Sequence, residues 1–249
     1  MTDSLQNVRV VLSHTSHPGN IGAAARAMKT MGLTDLRLVN PAQFPDAMAV
    51  AMACGADDVL LAAQVTTGLA EALVGVTLVV GCTARRRDLS HRMLTVREAA
   101  PTIIAEAQHA SVAVIFGTEM SGLSNEELEQ CQLLMRIPAN PVYSSLNLAA
   151  AVQVIAYELR VCGDTESLSD EVLLPLAKHE DVALFYHTLE QTLIEIGFLN
   201  VDAPRRLMTR LRRLFARTRL EHEELNMLMG ILKKIRSPRL PRQCGTKVD

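Results

Sequence analysis

The chain has 249 residues, 49% of them apolar, only 3% aromatic and none tryptophan, so its core is aliphatic. This length allows one large domain, or a medium domain with an appendage. Five cysteines without C-x-x-C or Cys/His spacing indicate neither a zinc site nor a disulfide framework, and with neither a signal peptide nor an 18-residue apolar run the chain is expected in the cytosol.

The net charge of −2 hides an asymmetry, because residues 1–160 carry 11 Lys/Arg against 14 Asp/Glu while residues 200–249 carry 13 against 5. Neutrality over the whole chain would argue against a nucleic-acid partner; a segment at +8 does not.

In chain order, Val8, Val10, Val11 and Leu12 predict a strand near 8–13. Asn20 then reads as a good N-cap for a helix from Ile21 to Met31 that closes on Gly32. Arg26 stands one turn above the side-chain-free Gly22, a gap able to admit a phosphate or ribose with Arg26 as bidentate clamp. The alternative is an ordinary surface arginine on an Ala-rich helix. Next come a strand near 35–39, a helix near 45–53, a weaker strand near 58–61, a helix near 68–74 and a strand near 77–82. The last is followed by Thr83, Ala84 and three adjacent arginines, Arg85, Arg86 and Arg87, which suit a phosphate backbone.

A helix near 95–108 leads to the strand Val112 to Phe116 and the loop Gly117-Thr118-Glu119-Met120-Ser121-Gly122-Leu123. Two glycines five apart after a buried strand indicate a backbone bent tightly towards a ligand. Ser124 with Glu127 forms a capping box for a helix near 124–130. Beyond a strand near 133–137, the segment Pro138 to Asn147 packs Asn140, Tyr143, Ser144, Ser145 and Asn147 ahead of an apolar helix near 145–161. Polar groups at such a strand-to-helix junction mark the ligand edge of an α/β sheet; the plainer reading makes Ser144 or Ser145 a simple N-cap. Strands alternating with helices predict a parallel sheet covered on both faces. No dinucleotide or P-loop fingerprint occurs.

Residues 163–180 are acidic and poorly periodic and read as a linker, which sets domains at 1–162 and 181–249. Helical patterns follow near 181–196, 203–219 and 221–236, then a basic tail. On the second of these, Leu207, Leu211 and Leu214 form one face, expected to dock on neighbours. Arg206, Arg210, Arg213 and Arg217 form a stripe suited to an RNA backbone, and Arg205, Arg212 and Arg219 a further one. The alternative is a solvated face paired with acids.

Three loops in order, Asn20-x-Gly22-x-x-x-Arg26, Phe116-Gly117-x-Glu119-x-x-Gly122-Leu123 and Ile137-Pro138 through Ser144-Ser145-Leu146-Asn147-Leu148, resemble the three motifs of the SPOUT (SpoU–TrmD) RNA methyltransferase superfamily over about residues 5–160. The run Arg26 to Leu33, the Ala139-Asn140-Pro141 loop and the helical tail look most like its bacterial tRNA 2′-O-methyltransferases acting at nucleotide 32 of the anticodon loop. The resemblance implies a Rossmann-like α/β domain with a C-terminal trefoil knot, a structure that periodicity never reveals, plus a small helical extension. It implies S-adenosylmethionine held by Cys82, Thr83, Ala84, Gly117, Ile137, Ser144, Ser145 and Leu146, without metal. Arg26, Ser145 and Asn20 become the catalytic set, and Arg26, Glu119 and Tyr143 touch RNA beside the arginines named above. A guanidinium does not act as a base, so Arg26 clamps phosphate and stabilises alkoxide charge while Ser145 or a water relays the proton. A homodimer with tRNA as substrate is expected, since the helix after Ser145 is apolar almost all round. A ribosomal RNA methyltransferase and a non-catalytic RNA-binding protein on the same scaffold remain open readings at this point.

Overall fold

The computed structural model describes residues 4–84, 93–164, 175–201 and 206–237. Seven parallel strands form one sheet: β1 (Val8–Ser13), β2 (Asp35–Val39), β3 (Gln64–Thr66), β4 (Val76–Cys82), β5 (Met93–Thr95), β6 (Ser111–Phe116) and β7 (Leu133–Arg136), in the spatial order β3-β2-β1-β6-β4-β7-β5. Every described residue of β1 is buried, and β4 and β6 are buried nearly throughout. This is why they read as unbroken apolar runs: helices cover both faces. β4 lies between β6 and β7, so the carboxyl ends of these three strands, and the loops that follow them, sit side by side.

Helices α1 (Pro18–Met31), α2 (Ala47–Ala53), α3 (Asp57–Ala62), α4 (Leu69–Ala72), α5 (Val96–Ala107), α6 (Asn125–Glu129) and α7 (Leu148–Asp164) cover the sheet. Thr95 with Glu98 and Ser124 with Glu127 make complete capping boxes at α5 and α6. The expected strand at 58–61 is instead helical. Asp57 and Asp58 sit in the first turn of α3, where the helix dipole favours acids, and Val59 and Leu60 are buried while Leu61 is 87% exposed. A one-sided pattern suits a surface helix; the strand comes later, as β3.

The helical extension consists of α8 (His179–Glu195), α9 (Leu207–Thr218) and α10 (His222–Arg236) around a small core of its own: Ala177, Phe185, Tyr186, Leu220, Leu225 and Leu232. α7 continues to Asp164, into the segment expected to be linker. The docking face of α9 also differs from expectation. Leu214 is 46% exposed, and the helix buries only Ala216. Phe215 packs edge-on against Phe185 at 5.0 Å, and the Arg212 guanidinium lies 4.6 Å above the Tyr186 ring. Aromatic rings on α8 outbid the leucines, because their larger faces accept both an aliphatic neighbour and a cation.

Candidate active site

The three motif loops meet at the carboxyl edge of the sheet. α1 begins at Pro18, capped by His17, whose Nδ1 accepts a hydrogen bond from Gly19 N at 3.1 Å. Asn20 is therefore not the cap: it lies in the first turn with its side chain released for another task. Its Nδ2 donates to Glu119 Oε1 at 2.9 Å, and its Oδ1 accepts from Asn147 Nδ2 at 2.9 Å. Glu119 Oε2 also accepts from the backbone and hydroxyl of Ser16, at 3.1 and 3.0 Å, and Oε1 from His17 N at 3.3 Å. Burial opposes ionisation of Glu119, but the hydrogen bonds from Asn20 and Ser16 prevail and hold its carboxyl below the usual range.

At the far end of this chain Asn147 Oδ1 accepts from Ala149 N at 2.9 Å and Ala150 N at 3.3 Å. Asn147, not Ser144 or Ser145, caps α7, and both serines are left without a capping duty. One polar chain thus ties Ser16 and His17 to Glu119, Asn20, Asn147 and the start of α7. Sequence reasoning placed Glu119 on RNA; its oxygens are occupied by the first motif. The signal for Asn147 was present in the sequence, as an asparagine directly ahead of an Ala-rich helix, the position of an N-cap whose side chain accepts from the amide two residues on.

Beside this brace lies a cavity of about 190 Å³. Cys82, Thr83 and Ala84 after β4, Gly117 after β6, and Ile137, Ser144, Ser145 and Leu146 after β7 all line it, so the eight positions expected to hold the cofactor fall on one surface. Among the described residues Glu119 is the one charged lining residue, and its charge is already engaged. The remaining wall is backbone, hydroxyls, aliphatic carbon, the Phe116 ring and the sulfur side chains of Cys82 and Met120, a chemistry that fits an uncharged purine ring and a ribose. Burial pushes the Cys82 thiol up to about 12, so it is a neutral wall group.

The glycines act otherwise than expected. A Cβ on Gly22 would stand 1.9 Å from the carbonyl oxygen of Ala49, so the space above it is filled by α2 and forms no phosphate pocket. A Cβ on Gly117 would meet Gly122 C at 2.2 Å, and Gly122 itself has φ +70°. The glycine pair lets the second motif fold onto itself, with Gly122 N donating to Thr118 O at 2.9 Å, and only thereby shapes the cavity.

Arg26 is exposed on α1 and makes no hydrogen bond or ion pair with any described residue. Tyr143 is 79% exposed at the tip of the third loop. Arg206, just ahead of α9, and Arg210 and Arg217 on it are exposed, and Arg213 is half-buried. Arg85, Arg86 and Arg87 lie outside the described residues, as does Arg205. Among the described residues no group of three or more His, Cys, Asp or Glu could hold a metal ion, and no helix is long and apolar enough to cross a membrane.

Residues 7–157 match the model of the SpoU rRNA methylase family. The chain belongs to the SpoU methylase family. Residues 180–244 match a second model, the C-terminal domain of the tRNA methyltransferase TrmJ. Among SpoU relatives, the tRNA (cytidine/uridine-2′-O-)-methyltransferase TrmJ of Photorhabdus laumondii is 49% identical, covering 93% of this chain and 97% of that protein. The Klebsiella pneumoniae protein of the same description is 51% identical with the same coverage. Of solved structures, TrmJ from Z. mobilis ZM4 superposes with a TM-score of 0.81 at 32% identity over 92% of this chain and 99% of that one. A probable methylase family protein from Haemophilus influenzae gives 0.63 at 40% identity over 93% and 96%. The α/β sheet with a C-terminal helical part is thus the SpoU methyltransferase arrangement.

Proposed function

We propose that the chain methylates the ribose 2′-hydroxyl of a cytidine or uridine in tRNA, at position 32 of the anticodon loop, as a cytosolic enzyme using S-adenosylmethionine. One observation carries the reading: a polar brace joins all three motif loops beside a cavity whose one charged lining residue among those described, Glu119, is already engaged. The curated relatives at about half identity, spanning nearly the whole chain, support the tRNA substrate. Position 32 draws on the Arg26-to-Leu33 run, the Ala139-Asn140-Pro141 loop and the extension.

S-adenosylmethionine supplies an electrophilic methyl group when bound, held by residues 82–84, Gly117, Ile137 and 144–146, in the family's knotted cradle. The residues present do the rest. Displacement is in-line, so alignment supplies much of the rate. The brace fixes the start of α1 against the loop of Ser145. Arg26, without a partner among the described residues, clamps the phosphate beside the target ribose and stabilises the charge that develops on its oxygen. Ser145, exposed at the cavity and free of a capping role, relays the hydroxyl proton towards water. A loop nucleotide is cheap to unstack into such a site.

The active form is a homodimer. The outer face of α7 leaves Tyr157 and Val161 51% and 46% exposed, with Val154 on the same stripe, more apolar surface than one subunit covers. Mass spectrometry of tRNA from a deletion strain, with and without the restored gene, tests the reading. Loss and recovery of a 2′-O-methyl at nucleotide 32 is expected; unchanged tRNA methylation would refute it.

A further inference from the structure

The extension has its own core, and among the described residues three polar ties join it to the methyltransferase domain. Gly75 N donates to Glu180 Oε2 at 3.1 Å, Thr209 Oγ1 to Glu129 Oε1 at 3.2 Å, and Arg219 Nη2 to Glu106 Oε2 at 3.1 Å. Between them the two parts do not pack tightly: a cavity of about 310 Å³ separates Ala70 and Leu78 from Val182, Phe215 and Ala216. Where apolar contact is interrupted, directional ties decide the placement.

Of the three, the third is built differently. Glu106, at the end of α5, is 6% exposed, and its other oxygen accepts from Thr77 Oγ1 at 2.6 Å. Among the described residues its sole cationic partner is Arg219, which the extension supplies. Arg219 adopts φ +51° at the end of α9, a left-handed conformation unusual for arginine. A buried carboxylate that loses its only cation is left uncompensated, which strongly disfavours any other placement of the extension.

We propose that the Glu106–Arg219 pair is the latch that sets the RNA-binding extension on the methyltransferase domain, making both positioning residues for tRNA rather than RNA contacts. The inference rests on the tRNA reading above. It divides the arginines of α9 by task. Arg212 and Arg219 face the protein, one over Tyr186 and one on Glu106, while Arg206, Arg210 and Arg217 face outward as a fixed surface. The latch sits at Thr77, near the start of β4, and the cofactor cavity begins at Cys82, at its end. Five strand residues put roughly 16 Å between them, so the latch orients bound tRNA without touching the reaction.

The test uses the full chain with Arg219→Ala, Glu106→Gln and Arg219→Lys. In Arg219→Ala and Glu106→Gln, KM for tRNA should rise about tenfold with kcat within about twofold, since ground-state placement and not chemistry is disturbed. Small-angle scattering should show a larger radius of gyration for both, and cofactor affinity should stay unchanged. Arg219→Lys, which can keep the single hydrogen bond, should restore most of the KM. The double variant should be no worse than the worse single one, because both break one interaction. The salt slope of tRNA binding should not change in Arg219→Ala; a slope lower by about 0.7 to 0.9 would make Arg219 a phosphate contact and overturn the proposal. Unaltered KM and scattering in both variants would overturn it as well. Failure of the unmodified chain to methylate tRNA would instead defeat the functional reading, while the scattering comparison would still decide the latch.

Discussion

Asn147 and Asn20, 127 residues apart in the chain, share a hydrogen bond of 2.9 Å from Nδ2 of the first to Oδ1 of the second. Both ends are further engaged, Asn20 by Glu119 and Asn147 by the first amides of α7. The relative position of the α1 and α7 amino termini is thereby set by side-chain amides. Asn147→Ala should remove the cap and the bridge together, destabilising the protein by about 1 kcal/mol for the cap alone. A thermal melt gives the stability, and cofactor titration should show weakened binding because the neighbouring Ser144–Leu146 wall loses its anchor.

Arg26→Ala should abolish nearly all methyl transfer while leaving cofactor affinity unchanged, because Arg26 is absent from the cavity wall. Arg26→Lys should also fail, an ammonium being unable to reproduce a bidentate fork. Near-normal turnover by the lysine variant would remove the clamp assignment.

Glu119 provides a pH dependence with a definite sign. Its folded carboxyl titrates below the ordinary 4.5, so the stability that it contributes is fully present above that value. The contribution falls away as the pH drops from there to the lowered folded value. The difference in melting temperature between the natural chain and Glu119→Gln should be constant from neutrality to about pH 5.5 and narrow below about 4.5. A difference that narrows already between pH 7 and 6 would show that another group titrates.

Gly22 and Gly117, one in each of the first two motifs, should separate by phenotype. Gly22→Ala forces a methyl against the Ala49 carbonyl and should cost about 3 kcal/mol of global stability, read by chemical denaturation. Gly117→Ala opens the turn of the second motif and should abolish cofactor binding, read by calorimetry. Equal loss of cofactor affinity in both would mean that α2 also shapes the cavity.

Replacing Arg206, Arg210, Arg213 and Arg217 together by alanine should flatten the salt slope of tRNA binding by about 3 if all four touch phosphate. Cofactor affinity serves as control and should not move. An unchanged slope would make the stripe a solvated face and leave Arg85, Arg86 and Arg87 as the RNA contacts.

What the sequence determined by itself was local. Apolar runs buried on both faces, the capping box at Ser124, and polar loops at strand ends depend on residues within a few positions of one another, so the parallel α/β fold and the loops of the site were legible. The resemblance of those loops to known motifs located the cavity wall residue by residue. Tertiary structure decided every partner beyond that range. It gave the space above Gly22 to Ala49, the oxygens of Glu119 to Ser16, His17 and Asn20, and the cap of α7 to Asn147. It also turned Arg212 and Arg219 inward while leaving Leu214 in water, because which face of a helix is buried depends on the shape and charge it meets, here Tyr186, Phe185 and Glu106. A helix pattern names the faces available; only the surface opposite selects one.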